Sequence, residues 1–112
     1  MKLSMKPQIE VPFDLAVEEH SQLSVDEGHS PWRLDPAFVA QVFVSLLISP
    51  EGIQGDYPIR YEDIKITQKT DKDAIALICG YMAPASRVYL KRLVRQDSTG
   101  IWTVVGYDQV KR

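Results

Sequence analysis

The feature that most constrains this chain is its ordering. One strongly apolar segment, residues 38–48, is followed from Arg60 to Asp108 by four runs with strand character separated by short polar turns. The last run closes in Gly100-Ile101-Trp102-Thr103-Val104-Val105-Gly106-Tyr107. Consecutive strands with short connections form an antiparallel meander, and a helix placed before them needs an apolar sheet face to cover.

The helix is read at about residues 36–49. Asp35 is a good N-cap, because its carboxylate can accept from an unpaired amide of the first turn. Pro36 suits the first helical position, where a missing N–H costs nothing. Phe38, Val39, Val42, Phe43, Leu46 and Leu47 form one broad apolar stripe on a 3.6-residue period, with Gln41, Ser45 and Ser49 opposite part of it. So much apolar surface predicts burial on more than one side, against the sheet and against a second subunit. The strands are expected at about 60–68, 74–82, 86–96 and 101–107. The expected class is α+β, with one main helix on a curved four-stranded antiparallel sheet.

Residues 1–30 read as a poorly ordered or extended leading segment, with a short helical turn at 14–20 and a polar loop at 21–30, before a single α+β domain at 31–112. A chain of 112 residues with 45% hydrophobic and 25% charged side chains suits one soluble globular domain. Residues 1–59 carry three basic against nine acidic side chains, a net of −6. Residues 60–112 carry ten against six, a net of +4. The expected reason is that the acidic leading part lies near the basic sheet.

The second strand is apolar on both parities. Ile75, Leu77, Cys79 and Tyr81 alternate with Ala74, Ala76, Ile78 and Gly80, the pattern of a central strand covered on both sides. Cys79, the single cysteine, is therefore expected to be a buried, inert thiol. In the third strand Arg87, Tyr89, Lys91 and Arg95 share one parity. Arg92 falls on the apolar parity, which predicts a bulge near 92–93 or a basic group facing a pocket.

No catalytic constellation is evident. His20 and His29 stand among Glu18, Glu19, Asp26 and Glu27, but their spacing matches no closed metal site, and solvated loop charges explain them. Ser86 and Ser98 sit in no nucleophile elbow, and the six glycines form no phosphate-binding loop. The acids at Glu62–Asp63 and at Asp71 and Asp73 fit solvent-facing strand and turn positions. No cofactor is expected. Trp32 is expected to seal one end of the core and Trp102 to pack on the helix.

The helix-then-meander order, with Trp102 and Val104 in the closing strand, resembles cystatin-like and NTF2-like domains, over about residues 35–108. The resemblance implies a sheet wrapped around a helix; no active-site residue carries over. The strings Gly28-His29-Ser30-Pro31-Trp32-Arg33-Leu34-Asp35-Pro36 and Gly100-Ile101-Trp102-Thr103-Val104 also look like those of uncharacterised exported or lipid-anchored proteins of Gram-positive bacteria. That resemblance implies a cell-envelope location if a leader has been removed; otherwise the chain is expected in the cytoplasm.

The functional expectation is a non-enzymatic module for protein binding or self-association. Its candidate ligand or partner surface is Arg87, Tyr89, Lys91, Arg92, Arg95 and Tyr81. The alternative is a small-ligand pocket or NTF2-like enzyme between helix and sheet, lined by Tyr81, Arg92 and Trp102. Overall acidity and the lack of an aromatic–basic motif argue against nucleic acid. The longest apolar stretch is also shorter than the roughly 20 residues of a membrane-crossing helix.

Overall fold

A computed structural model describes residues 7–53, 55–79 and 83–110. The elements are β1 (Ile9–Glu10), α1 (Leu15–Asp26), a 3₁₀ turn (Pro31–Leu34), α2 (Pro36–Ile48), a second 3₁₀ turn (Tyr61–Asp63), β2 (Ile64–Lys69), β3 (Asp73–Ile78), β4 (Ala85–Lys91) and β5 (Thr103–Gln109). The protein is α+β: the strands form one antiparallel sheet in the order β1-β5-β4-β3-β2. The helix expected at 36–49 is present, as is the meander.

The leading segment departs from expectation. It is not a loop after residue 20: α1 runs on to Asp26, and Ile9–Glu10 adds a fifth strand at the edge of β5. Asp14 starts α1 by accepting from the amides of Ala16 and Val17. An apolar-periodicity reading passes over this helix because the stripe it buries is Glu18, Gln22 and Val25. Its Leu15, Val17 and Leu23 face outward instead.

The strands also end where competing partners take the backbone. Residues 60–63 turn rather than extend, with the Asp63 amide bonded to the Arg60 carbonyl. The ladder of β4 stops at Lys91, and Arg92 sends its amide to the Lys72 carbonyl. Strand β5 starts at Thr103, since the Ile101 amide donates to Gln22 Oε1 and the Trp102 amide to the Arg33 carbonyl. No bulge forms at 92–93. Register breaks lie instead at Ser86, which pairs with nothing between Ala85 and Arg87, at Val105, between the partners of Tyr89 and Leu90, and at Thr67 in the β2–β3 pairing.

The core lies between α2 and one sheet face, where Ala40, Val44, Ala74, Ala76, Val88, Leu90 and Trp102 are wholly buried. Trp32 is half-buried against this core, its ring 5.5 Å from Phe38, as the end-sealing role requires. On the opposite face Ile75 and Tyr89, cross-strand partners, are both buried. The two-sided apolar pattern of β3 thus holds through Ile78. It fails at Cys79, which is exposed: it lies beyond the last ladder pair of β3, with its amide bonded to the Asp63 carbonyl.

The largest reversal is in α2. Gln41 and Ser45, expected on the outer stripe, are buried at 6% and 0% exposure, whereas Leu46, Leu47 and Ile48 are 37–40% exposed. The physical reason is the segment before β2. Gln41 Nε2 donates to the Ile59 carbonyl at 3.0 Å, and the Ile59 amide donates to Ser45 Oγ at 3.4 Å. A buried backbone unit with no strand partner needs polar side chains, and α2 supplies them on its inner face.

Candidate functional site

The residues expected to form one basic stripe are distributed by the fold over different environments. Tyr81 lies outside the described residues. Arg87, Tyr89 and Lys91 do share the sheet face away from α2, each opposite a residue of β3. Tyr89, however, is buried and donates to Asp108 Oδ2 at 2.8 Å, while Arg87 Nη1 lies 3.6 Å from the same oxygen. Burial pushes the Tyr89 phenol above its ordinary range. Asp108 also accepts from the Gln8 amide, so this cluster fastens the leading strand to β5.

Arg95 is not on a strand. It forms a two-pronged ion pair with Asp26 at the end of α1, with Nη1 and Nη2 at 3.0 and 2.9 Å from the two carboxylate oxygens. The Arg95 guanidinium holds the Asp26 carboxyl below the usual carboxylate range. Here the acidic leading part meets the basic half of the chain. A second ion pair, Arg33 to Glu18 at 2.8 Å, tightens the other end of α1, and Glu18 also accepts from the Thr103 hydroxyl.

Arg92 does not face an open pocket. Its guanidinium carbon lies over the Trp102 ring, its Nε donates to the Gly100 carbonyl, and Nη1 donates to the Asp71 carbonyl. Arg92 and Trp102 pack on each other, and the side chains between α2 and the sheet are buried. The indole Nε1 of Trp102 is buried without a hydrogen-bond partner among the described residues, as is Arg33 Nε.

Concave surface lies elsewhere. A cleft of about 620 Å³ opens between the leading segment and the ends of β4 and β5, with Val11, Pro12, Phe13, Leu93 and Val105 as apolar walls. Glu10 and Lys91 contribute its ionic groups. Only Lys91 of this set was indicated by sequence; the rest becomes visible once β1 is known to run beside β5. A smaller recess of about 160 Å³ is lined by Ser21, Ser24, Val25, Ser30, Trp32 and Arg33. Sequence offered no periodic signal for it, because its two walls come from a polar helix and a 3₁₀ turn.

Among the described residues no group of three or more His, Cys, Asp or Glu side chains is placed to hold a metal ion. Within the same residues no helix is long and apolar enough to cross a membrane. Compared with known proteins, the chain matches no family model, no curated protein and no solved structure.

Proposed function

We propose that this chain is a non-enzymatic α+β module for protein binding or assembly, arranged in the helix-then-meander order of cystatin-like and NTF2-like domains. The observation that carries the reading is the large apolar surface that both helices leave outside. α1 buries Glu18 and Gln22 and exposes Leu15, Val17 and Leu23, and α2, whose inner face holds Gln41 and Ser45 among Ala37, Val39, Ala40 and Val44, exposes Leu46, Leu47 and Ile48. Leu46, Leu47 and Ile48 are consecutive at the end of α2, with Val42 and Phe43 half-buried behind them. Scattered exposed apolar residues need no explanation, but a contiguous group marks a contact surface. Light scattering over a concentration range, with an apolar-surface dye, tests the reading. The expected result is self-association or dye binding that Leu46→Glu with Leu47→Glu abolishes. A strict monomer that binds no dye would refute it.

A second reading, a small-ligand site, is favoured by the cleft beside Lys91, whose walls mix apolar side chains with the ionic groups of Glu10 and Lys91 and whose size is in the range of small-molecule sites. Titration with octanoate, followed by NMR, should then shift Val11, Phe13 and Leu93. No shift there would dispose of it. The envelope location implied by resemblance belongs to the first reading and is checked by cell fractionation, with the protein expected in the envelope fraction.

A further inference from the structure

Helix α1 is fastened to the rest of the chain by polar side chains. Glu18, Gln22 and Asp26 stand four residues apart and so form one row along the helix. Glu18 accepts from Arg33 Nη2 in the 3₁₀ turn at 2.8 Å and from the Thr103 hydroxyl in β5. Gln22 donates to the Thr99 carbonyl at 2.8 Å and accepts from the Ile101 amide at 2.9 Å. Asp26 takes both prongs of Arg95, in the loop between β4 and β5.

Apolar anchoring is slight by comparison. Val25 is the one buried apolar side chain of α1, and no described residue of this helix belongs to the core between α2 and the sheet. Leu15, Val17 and Leu23 are 46–59% exposed. Segments with few buried apolar contacts open at a lower free energy than the core does. A helix of 12 residues is also marginal by itself in water, so α1 unwinds once it is undocked.

The chain on either side stays attached. Ile9 and Glu10 pair with β5, the Val11 amide bonds to the Val105 carbonyl, and the Arg33 carbonyl accepts from the Trp102 amide at 3.0 Å. Where the chain leaves α1, Gly28 and Ser30 adopt left-handed conformations, φ 93° and 49°, which break the helix from the anchored turn. What α1 covers is the approach to β5. Ile101, wholly buried, lies there outside the core between α2 and the sheet, and Thr103 is 7% exposed.

Charge does much of the holding. Glu18 faces Arg33 from the 3₁₀ turn and Thr103 from β5. Asp26 faces Arg95, with Gln22 of its own helix beside it and Asp97 near the same arginine. Neutralising the two carboxylates leaves both arginines without their ionic partners and weakens the hold at both ends of the row.

We propose that α1 is a releasable strap, held shut by the row Glu18, Gln22 and Asp26, which opens as one unit and uncovers the approach to β5 while the sheet and α2 stay folded. Its release does not depend on whether the exposed apolar side chains meet a partner.

Native-state hydrogen exchange of the full chain, followed by NMR, tests this. The amides of Leu23 and Val25 and the Ile101 amide should lose protection together, each about a hundredfold less protected than Ala76 and Val88. Trp102, whose amide is held by Arg33 beyond the strap, should stay with the slow set. In the double variant Glu18→Gln with Asp26→Asn, protection at Ile101 should fall about tenfold further, with Ala76 and Val88 still slow. Leu23→Ala, on the exposed side, should leave Ile101 as it is in the native chain. An Ile101 amide as slow as Ala76 would overturn the strap, since α1 would then open only with the whole fold. So would fast exchange in α1 with Ile101 still slow, which is fraying without undocking. Loss of protection at Trp102 alongside Ile101, or a double variant that leaves Ile101 unchanged, would also count against it.

Discussion

The guanidinium carbon of Arg92 lies 4.4 Å from the centroid of the Trp102 indole ring, with Arg92 6% exposed and Trp102 wholly buried. A cation stacked on a desolvated ring is worth more than at the surface, and here the same side chain also satisfies two carbonyls, Asp71 in the turn before β3 and Gly100 before β5. The pair therefore joins the turn before β3 to the turn before β5. Arg92→Ala should destabilise the fold by about 3 kcal/mol, since the stacking is lost and both carbonyls lose their donor. Arg92→Lys should recover little of this, because an ammonium lacks the planar fork. Urea denaturation of the two variants checks both statements.

Trp102 itself separates volume from hydrogen bonding. Its indole Nε1 has no partner among the described residues, so removing the N–H while keeping an aromatic ring gives up no known bond. Trp102→Phe should cost roughly 1–2 kcal/mol for lost volume, against about 3–5 kcal/mol for Trp102→Ala. Equal losses in the two variants, measured by chemical denaturation, would mean that the N–H is satisfied after all.

Reversed polarity in α2 makes an unusual mutational pattern. Gln41→Leu, a change that looks like an improvement to an apolar helix, should destabilise by about 1–3 kcal/mol by leaving the Ile59 carbonyl unpaired. Leu46→Gln, on the exposed side, should change stability by no more than about 0.5 kcal/mol. Thermal melts of the two proteins side by side would show the difference directly.

Asp26 and Arg95 give the fold an acid-sensitive contact. The folded-state pKa of Asp26 is depressed, so the pair's stabilisation is present above the ordinary carboxylate pKa and is lost as pH falls through the folded value. Asp26→Asn should be less stable than the native chain at neutral pH, and the difference should vanish once the medium is acid enough to protonate Asp26. Because both groups are solvent-accessible, added salt should also shrink it. Stability curves that stay parallel down to strong acid would refute the assignment.

At the sheet edge, Gly106 faces β1 so closely that a Cβ there would collide with the Pro7 ring and crowd the Ile9 carbonyl. Gly106→Ala should displace Ile9–Glu10 while leaving β2 to β4 in place. Hydrogen exchange should then quicken at Ile9 and Val11 and remain slow at Ala76 and Val88.

The meander and α2 were legible because their signals are local. Period-two alternation marks β2 to β5, and the Asp35-Pro36 start marks the helix. Neither α1 nor the placing of Gln41 and Ser45 on the inner face of α2 could be read the same way, since both rest on polar side chains whose partners are distant loop backbones. Gln22 is the clearest case. It donates to the Thr99 carbonyl and accepts from the Ile101 amide, standing in for a strand partner 77 and 79 residues away. Periodicity carries no information about such a pairing. The basic stripe was legible only in part for a related reason: parity placed Arg87, Tyr89 and Lys91 together on one sheet face, but the strand ends before Arg95, and Arg87 and Arg95 pair with Asp108 and Asp26.

The two bonds from α2 to Ile59 also bear on how this chain can be altered. Gln41 and Ser45 grip both the carbonyl and the amide of one residue, so the chain re-enters the fold at a fixed point whatever precedes it. Gly52, with φ 119° and open space where a Cβ would sit, lies between the helix end and that clamp. Lengthening a flexible loop costs only about 0.6 kcal/mol per doubling. A peptide tag or a small guest domain spliced in at Gly52 should leave the sheet register untouched, which makes this the natural insertion port of the molecule.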